Sequence, residues 1–290
     1  MFIRRENDDS ASPVSNWGRD DVLNSHAQRW ITAIAAVPAL FALVWFGSAI
    51  VFSALIWGLI VLGVYEYNSL VFGKPFCWEK IEGLVIACLV PIAFYCGHAE
   101  TVLGLLSLAI LTVFFLYIPK IRQEPFDVIP VMKVVFGIMY VAVMMSYLIW
   151  LRLGHDGIRW IFFVIVLAFS GDVSAYYVGK TFGRHKLIPL VSAGKTVEGT
   201  VGLVVGSTIF CIGFAWLFMP NLQWGHAAAL GFFGSVLGQL GDLCESVIKR
   251  ASGVKDSGVI LPGHGGILDR LDCLIFIGPF VYYYKVFLIL

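Results

Sequence analysis

Residues 239–272 read QLGDLCESVIKRASGVKDSGVILPGHGGILDRLD. The other segments of the chain are interpreted in relation to this stretch. It holds five carboxylates, four basic side chains and one histidine, whereas only 13% of the whole chain is charged. The stretch also begins and ends within apolar runs. Because a charged side chain at the centre of a bilayer costs about 2.5–3.5 kcal/mol on insertion scales, charges clustered beside membrane segments usually have a function. We interpret the cluster as a site for a metal ion and a nucleotide.

The composition predicts a membrane protein. Of the 290 residues, 59% are hydrophobic, whereas a soluble domain is about 45–50% apolar. Several apolar segments are close to the length that a helix needs to cross a bilayer. The candidates are residues 30–47, 48–68, 83–97, 102–118, 131–151, 158–180, 199–218, 226–248 and 271–289. The sequence therefore predicts an all-α polytopic membrane protein with about nine transmembrane helices.

The chain divides into three regions. Residues 1–29 form a polar tail that lacks the apolar core of a cleavable signal peptide. Residues 30–157 are expected to form the N-terminal transmembrane helices. Residues 158–290 are expected to form a catalytic transmembrane region that contains the charged signature at 246–272.

The positions of Lys and Arg predict the orientation. With nine spans and a cytoplasmic N-terminus, 17 of the 20 Lys and Arg residues fall in or beside cytoplasmic segments. Such a bias is typical of the cytoplasmic side of membrane proteins. Both charged loops, 180–198 and 249–270, then face the cytoplasm. Asp172, Asp242 and Glu66 then lie just below the cytoplasmic surface, and the short polar tail favours a prokaryotic inner membrane.

Four polar residues share one face of the predicted helix at 226–248 and its continuation. Asp242, Glu245, Ser246 and Lys249 follow one another at helical spacing. Two carboxylates, a hydroxyl and a lysine suit a magnesium ion and the phosphates that it bridges, because magnesium takes few protein carboxylates and keeps positions for phosphates and waters. An internal network of ion pairs is the alternative interpretation of the same face.

A second acidic pair, Asp269 and Asp272, opens the last span. Acidic side chains at a helix N-terminus also serve as ordinary caps. The glycine-rich approach at 263–266 favours ligand binding, because backbone amides without neighbouring side chains can reach phosphate oxygens. Two nucleotide-binding motifs are excluded. Gly194-Lys195-Thr196 resembles the end of a P-loop, but the position that needs the first glycine of that motif is Pro189, and we expect no strand before it. Residues 263–268 do not complete the glycine pattern of a dinucleotide-binding site.

Glycines recur at helical spacing in the two spans before the last. They are Gly202 and Gly206 in one, and Gly231, Gly234, Gly238 and Gly241 in the other. Small residues at this spacing let helix backbones approach closely in lipid. We expect tight helix packing there.

From Ser246 to Asp272 the sequence resembles the signature of the phosphatidate cytidylyltransferases, the CDP-diacylglycerol synthases. The resemblance extends upstream to Gly171-Asp172 and to residues 192–199, so that it covers roughly 165–290. One position departs from the family pattern, because Ala193 stands where the family usually has proline.

The resemblance implies an enzyme that joins CTP and phosphatidate to give CDP-diacylglycerol and pyrophosphate. It also implies a nine-helix homodimer that acts on membrane lipids and not on nucleic acid. Family members use magnesium, with a potassium ion beside it, on the aspartates that match Asp242 and Asp269.

We infer roles for the remaining site residues from their charge and position. The catalytic carboxylates are expected to be Asp242, Glu245, Asp256, Asp269 and Asp272. The expected substrate-binding residues are Lys195, Lys249, Arg250, Lys255, His264, Gly265, Gly266 and Arg270. Asp172 either supports these acids or has a structural hydrogen-bonding role, and Glu66 has no assigned role.

Three other activities are compatible with parts of the pattern. A CTP-dependent lipid kinase would release CDP, and a cytidylyltransferase for ether-linked archaeal lipids would differ only in its acceptor. A transporter would also carry charges within the membrane, but its acids are expected along a path through the midplane rather than near one face.

Overall fold

The computed structural model describes residues 38–73, 76–121, 127–258, 260 and 265–289. The described chain is almost entirely helical. A helical segment at 38–46 is followed by α1 (Ala49–Phe72), α2 (Trp78–Tyr95), α3 (Ala99–Tyr117), α4 (Ile129–Gly137), α5 (Met144–Leu153), α6 (Gly157–Phe182), α7 (Val197–Phe218), α8 (Trp224–Ala251) and α9 (Leu268–Leu288). A 3₁₀ turn (Ile118–Lys120) extends α3, and a π-helical turn (Ile138–Val143) joins α4 to α5.

Seven helices in the described part of the chain are long and apolar enough to cross a membrane. They are Ala49–Phe72, Ala99–Lys120, Ile129–Leu153, Gly157–Phe182, Val197–Phe218, Trp224–Ala251 and Leu268–Leu288. This confirms the all-α, multi-pass membrane class. The predicted span at 83–97 corresponds to α2, whose first turns carry Glu79, Lys80 and Glu82. The predicted span at 30–47 is described only from residue 38, and the predicted tail at 1–29 lies outside the described residues.

A short hairpin between α6 and α7 departs from the all-α prediction. Strand β1 (Lys186–Ile188) pairs antiparallel with β2 (Ser192–Thr196). The expectation that no strand precedes Gly194-Lys195-Thr196 was therefore wrong, although the P-loop glycine is still missing at Pro189. Strands this short leave too little alternation of apolar and polar residues to be recognised in the sequence. The hairpin places Lys195 beside the helical bundle, and Thr196 caps α7 by accepting a hydrogen bond from the Gly199 amide at 3.1 Å.

The last four helices pack into one bundle through their glycines, as the spacing predicted. Gly202 and Gly206 of α7 lie against Val178 and Ser174 of α6. In α8, a Cβ at Gly241 would collide with the backbone carbonyl oxygen of Asp272 in α9. Because α8 and α9 touch at this point, Asp242 and Asp272 are brought to the same depth in the bundle.

We predict that Gly241→Ala destabilises the protein, because overpacking a close contact costs about 1–3 kcal/mol. Gly213→Ala is the matched control, since Gly213 also lies within a helix but has no heavy atom within 4 Å of the position that a Cβ would take. Alanine forms helix better than glycine by about 1 kcal/mol, so this control should be neutral or stabilising. Thermal unfolding of the two purified variants in detergent checks the difference. Equal melting temperatures would contradict the close contact.

Candidate active site

Two polar cavities meet inside the bundle of α6–α9. The first, which we call the acidic cavity, has a volume of about 300 Å³ and is lined by the carboxylates Asp172, Asp242, Asp269 and Asp272. The second, the hairpin cavity, has a volume of about 330 Å³ and lies between α6, α7, α8 and strand β2. Asp172, Gln239 and Asp242 belong to the walls of both cavities. A ligand with several anionic groups therefore has two connected polar spaces available.

Lys249 lies at the centre of an ion-pair network in the acidic cavity. Its Nζ is 2.6 Å from Glu245 Oε2 and 2.5 Å from Asp269 Oδ1. Glu245 is fully buried, and it is not among the residues that line the two cavities. Glu245, Lys249 and Asp269 therefore form an internal ion-pair network, which was the alternative interpretation of this helix face.

Asp242 faces the cavities from the same side of α8. Its carboxylate forms an ion pair with Lys195, which strand β2 brings from the hairpin. Its other oxygen, Oδ1, lies 3.5 Å from the hydroxyl of Ser246. The Asp242 side chain is 35% exposed, so this carboxylate can reach a ligand without leaving its position.

Asp269 is held by backbone groups as well as by Lys249. Its Oδ2 accepts hydrogen bonds from the amide of Ser257 at 3.0 Å and from the amide of Gly266 at 2.9 Å. The Gly266 amide, which the sequence predicted to bind phosphate, is thus engaged by Asp269 in this arrangement. Gly265 has φ +79°, a left-handed backbone conformation that glycine adopts without strain. Ser257 and Gly266 thus both orient the Asp269 carboxylate.

Asp172 and Asp272 complete the acidic wall. Asp172 of α6 is exposed to the cavity space, and Asp272 of α9 is partly buried. Asp272 Oδ1 accepts a hydrogen bond from the Cys273 amide at 2.7 Å. Asp172 thus lies with the predicted site acids.

Of the remaining predicted residues that the structure describes, all but Arg270 lie outside the two polar cavities. Arg250 donates hydrogen bonds to the carbonyl oxygens of Val191 at 3.2 Å and Val254 at 3.0 Å, so that it ties the hairpin to the end of α8. Lys255 and Asp256 are exposed on the loop after α8 and do not line either polar cavity. Arg270 lines the acidic cavity. His264 lies outside the described residues.

Glu66 contacts the start of the helix that carries Asp269, a role that the sequence did not reveal. It is on α1, only 2% exposed, and its two oxygens accept hydrogen bonds from the amides of Ile267 at 3.0 Å and Leu268 at 2.8 Å. The available signal was a single carboxylate in the inner half of an apolar helix. That signal marks a buried acid, but it does not identify the partner about 200 residues away.

The oxygen donors of the acidic cavity suit magnesium in one specific way. Among the residues that the structure describes, no group of three His, Cys, Asp or Glu side chains forms a metal site by itself. Magnesium commonly binds through one or two carboxylates and completes its shell with waters and substrate phosphates. Asp242 and Asp269 line one cavity, and both carry lysine partners. The residues therefore fit a magnesium ion that arrives with a phosphate ligand.

A third cavity, which is mostly apolar, shares part of its wall with the acidic cavity. This apolar cavity has a volume of about 450 Å³ and lies between the 38–46 segment, α1, α5, α6 and α9. Its walls include Phe52, Ile56 and Ile161, together with four charged residues. These are Asp172, Asp269, Arg270 and Asp272, all of which also line the acidic cavity.

Comparison with known proteins decides the family. The model of the cytidylyltransferase family matches residues 27–288. The chain belongs to the cytidylyltransferase family. A phosphatidate cytidylyltransferase of Synechocystis is 32% identical over 294 aligned positions, which cover 90% of this chain and 97% of that protein.

Two further relatives carry the same name. The Bacillus subtilis phosphatidate cytidylyltransferase is 43% identical over 145 residues, which cover 50% of this chain and 54% of that protein. The Staphylococcus aureus relative is 32% identical over 203 residues, which cover 69% of this chain and 77% of that protein. The site of this cytidylyltransferase is therefore best interpreted as one for a nucleotide and a phosphorylated lipid.

We predict that Lys249→Met destabilises the cytidylyltransferase strongly, because removing one partner of a buried ion pair costs about 3–5 kcal/mol. The double variant Glu245→Gln/Lys249→Met should recover much of that loss, since no unpaired buried charge remains on α8. Thermal unfolding in detergent measures both effects.

Lys255→Met serves as the control for that experiment, because Lys255 is exposed and does not line the polar cavities. It should melt like the wild type. A double variant that is less stable than Lys249→Met alone would contradict the pairing of Glu245 with Lys249.

Proposed function

We propose that the protein transfers the cytidylyl group of CTP to phosphatidate, giving CDP-diacylglycerol and pyrophosphate. The observation that carries the proposal is that the acidic cavity shares its wall with both the hairpin cavity and the apolar cavity. Two polar cavities that suit a nucleotide triphosphate meet an apolar cavity that suits acyl chains, and Asp172, Asp269, Arg270 and Asp272 stand at the meeting point. The membership in the cytidylyltransferase family supports the same reaction.

The reaction forms one bond and breaks one bond at the α-phosphorus of CTP. A phosphate oxygen of phosphatidate attacks this phosphorus, and the bond to the bridging oxygen of the β-phosphoryl group breaks. Pyrophosphate leaves with that electron pair. Because the attacking phosphate is already anionic near pH 7, the step needs little deprotonation. The main difficulty is the repulsion between two polyanions, so that catalysis rests on positioning and charge stabilisation.

The basic side chains of the site can offset that repulsion. Lys195 reaches the hairpin cavity, Lys249 the acidic cavity, and Arg270 the junction of the acidic and apolar cavities. In the resting arrangement Lys195 is paired with Asp242, and Lys249 is paired with Asp269. These ion pairs keep the buried charges compensated until phosphate groups enter.

Magnesium is part of the proposal, with potassium as a second cation. Asp242 and Asp269 would hold the magnesium ion, with Asp272 and Asp172 close to it in the same cavity. When bound, magnesium would neutralise charge on the phosphates of CTP. The protein's own part is to keep both carboxylates oriented and to let Lys195 and Lys249 shift toward the phosphates.

The remaining substrate contacts belong to the loops around the cavities. Arg250 and Lys255 lie on the loop side of α8, where either could contact phosphate after a local movement. Glu245 is proposed to orient Lys249, with which it forms an ion pair. Asp256 is proposed to contribute to catalysis from its exposed position after α8. His264 and Gly265 are proposed as phosphate contacts of the glycine loop.

We further propose the nine-helix topology with a cytoplasmic N-terminus, in a prokaryotic inner membrane, as a homodimer. In this orientation the charged ends of α6–α9 face the cytoplasm, where CTP is dissolved. Phosphatidate would enter sideways through the apolar cavity, so that its acyl chains stay in hydrocarbon.

We predict that purified protein with magnesium and phosphatidate transfers the cytidine label of CTP into lipid. A label on the γ-phosphate should appear in pyrophosphate. The two labels are followed separately by thin-layer and ion-exchange chromatography. Appearance of the γ-label in an isoprenoid alcohol, offered in a parallel reaction, would indicate a lipid kinase. Activity only with an ether-linked phosphatidate analogue would assign the archaeal acceptor.

We predict that Asp242→Asn lowers turnover at least 100-fold, because the amide loses the charge that would bind the cation. The variant should remain folded and inserted in the membrane. Asp156→Asn is the matched control, since Asp156 is the N-cap residue of α6, at the opposite end of that helix from the hairpin. Turnover is measured with CTP and phosphatidate under saturating magnesium. Wild-type turnover by Asp242→Asn would overturn the proposed cation ligand.

A further inference from the structure

We infer that Glu66 of α1 is a positioning residue that fixes the start of α9 and, through it, the orientation of Asp269. The consequence for turnover rests on the proposed function. The structural part of the inference rests on contacts among described residues alone.

The start of α9 depends on an acceptor from another helix. The first amides of any helix lack partners within that helix, and such groups are usually satisfied by a Ser, Thr, Asp or Asn side chain at the cap. In α9 the cap residue is Ile267, which makes no side-chain cap hydrogen bond. Glu66 supplies the acceptor instead, through the amides of Ile267 and Leu268. Its negative charge also complements the positive end of the helix dipole.

Ser257 links Glu66 to Asp269 directly. The Ser257 hydroxyl donates to Glu66 Oε2 at 3.0 Å and accepts from the Asp269 amide at 3.3 Å. The Ser257 amide donates to Asp269 Oδ2 at 3.0 Å. One buried serine thus joins the capping carboxylate to both the backbone and the side chain of Asp269.

Gly258 and Gly266 lie so close to Glu66 that neither position has space for a side chain. A Cβ at Gly258 or at Gly266 would collide with the Glu66 carboxylate. Because glycine stands at both positions, Gly258 and Gly266 can lie directly against the carboxylate, and Glu66, Ser257 and Asp269 form one packed unit. Asp269 in turn holds Lys249, so that α1 influences the ion-pair network of α8 and α9.

A carboxylate is required at this position because three donors converge on it. Two backbone amides and one hydroxyl donate to its two oxygens. A glutamine has a single oxygen and adds an NH₂ group, so one backbone amide of the α9 start would face another donor. Glu66→Gln therefore preserves the shape of the side chain and breaks the cap.

The first test is hydrogen–deuterium exchange on the purified full-length protein without substrates. In Glu66→Gln, the amides of Ile267 and Leu268 should exchange at least ten-fold faster than in the wild type. Asn68→Ala is the matched control, because Asn68 is on the same helix, is equally buried and donates to the Lys80 carbonyl at 3.2 Å. It should leave exchange at Ile267 and Leu268 unchanged. Equal exchange in Glu66→Gln and the wild type would overturn the inference.

The second test measures turnover and the magnesium dependence of the same variants. Glu66→Gln should lower kcat by 10–100-fold and raise the magnesium concentration for half-maximal activity at least five-fold, whereas Asn68→Ala should change neither value by more than two-fold. Equal effects in both variants would reduce Glu66 to a general stability role and overturn the inference.

Should Glu66→Gln fail to fold, Ser257→Ala replaces it. In this variant the Asp269 amide should exchange faster than in the wild type, and unchanged exchange would refute the link through Ser257. If the wild type shows the protected amides but no CTP turnover, the proposed function is refuted, whereas the inference that Glu66 caps α9 still holds.

Discussion

The buried charge on Lys249 is the constraint on which the site depends. A carboxylate or ammonium group inside a membrane protein is tolerated when an opposite charge and further hydrogen bonds compensate it. Lys249 compensates two acids at once, Glu245 within α8 and Asp269 at the start of α9. The network therefore sets the relative position of the two helices that carry the cation ligands we propose. It also holds positive charge beside the cavity before any phosphate arrives.

Close helix packing makes this network possible. Gly241 allows α8 to touch the backbone of α9 at Asp272, and Gly202 and Gly206 allow α7 to touch α6. Without these contacts the acids of three helices would not reach one cavity. The apolar cavity lies where the N-terminal helices meet the catalytic region. The start of α9 thus borders both a polar and an apolar space, which suits a reaction between a water-soluble nucleotide and a lipid.

The N-terminal half of the chain has a larger part in the site than its composition indicates. Its apolar helices look like membrane anchors, yet α1 contributes the carboxylate that caps α9. The 38–46 segment and α1 also form one wall of the apolar cavity. Residues from both sides of the predicted boundary at residue 157 therefore line the cavity that we propose for the lipid.

The sequence by itself determined the membrane class, the positions of the helices and the family, because hydropathy and motif spacing are local properties of the chain. It also predicted that Asp242, Asp269 and Asp272 come together, since the predicted topology places the C-terminal end of one span and the N-terminal end of the next on the same face of the membrane. It did not predict the hairpin that presents Lys195, because the two strands are too short for a visible alternation. Only the tertiary structure decided that Glu245 is buried against Lys249, that Arg250 holds the hairpin and that Glu66 caps α9. Arg250 and Glu66 contact residues that are 59 and about 200 positions away in the sequence, and the burial of Glu245 depends on the helices packed around α8. No local pattern in the sequence identifies contacts of this kind.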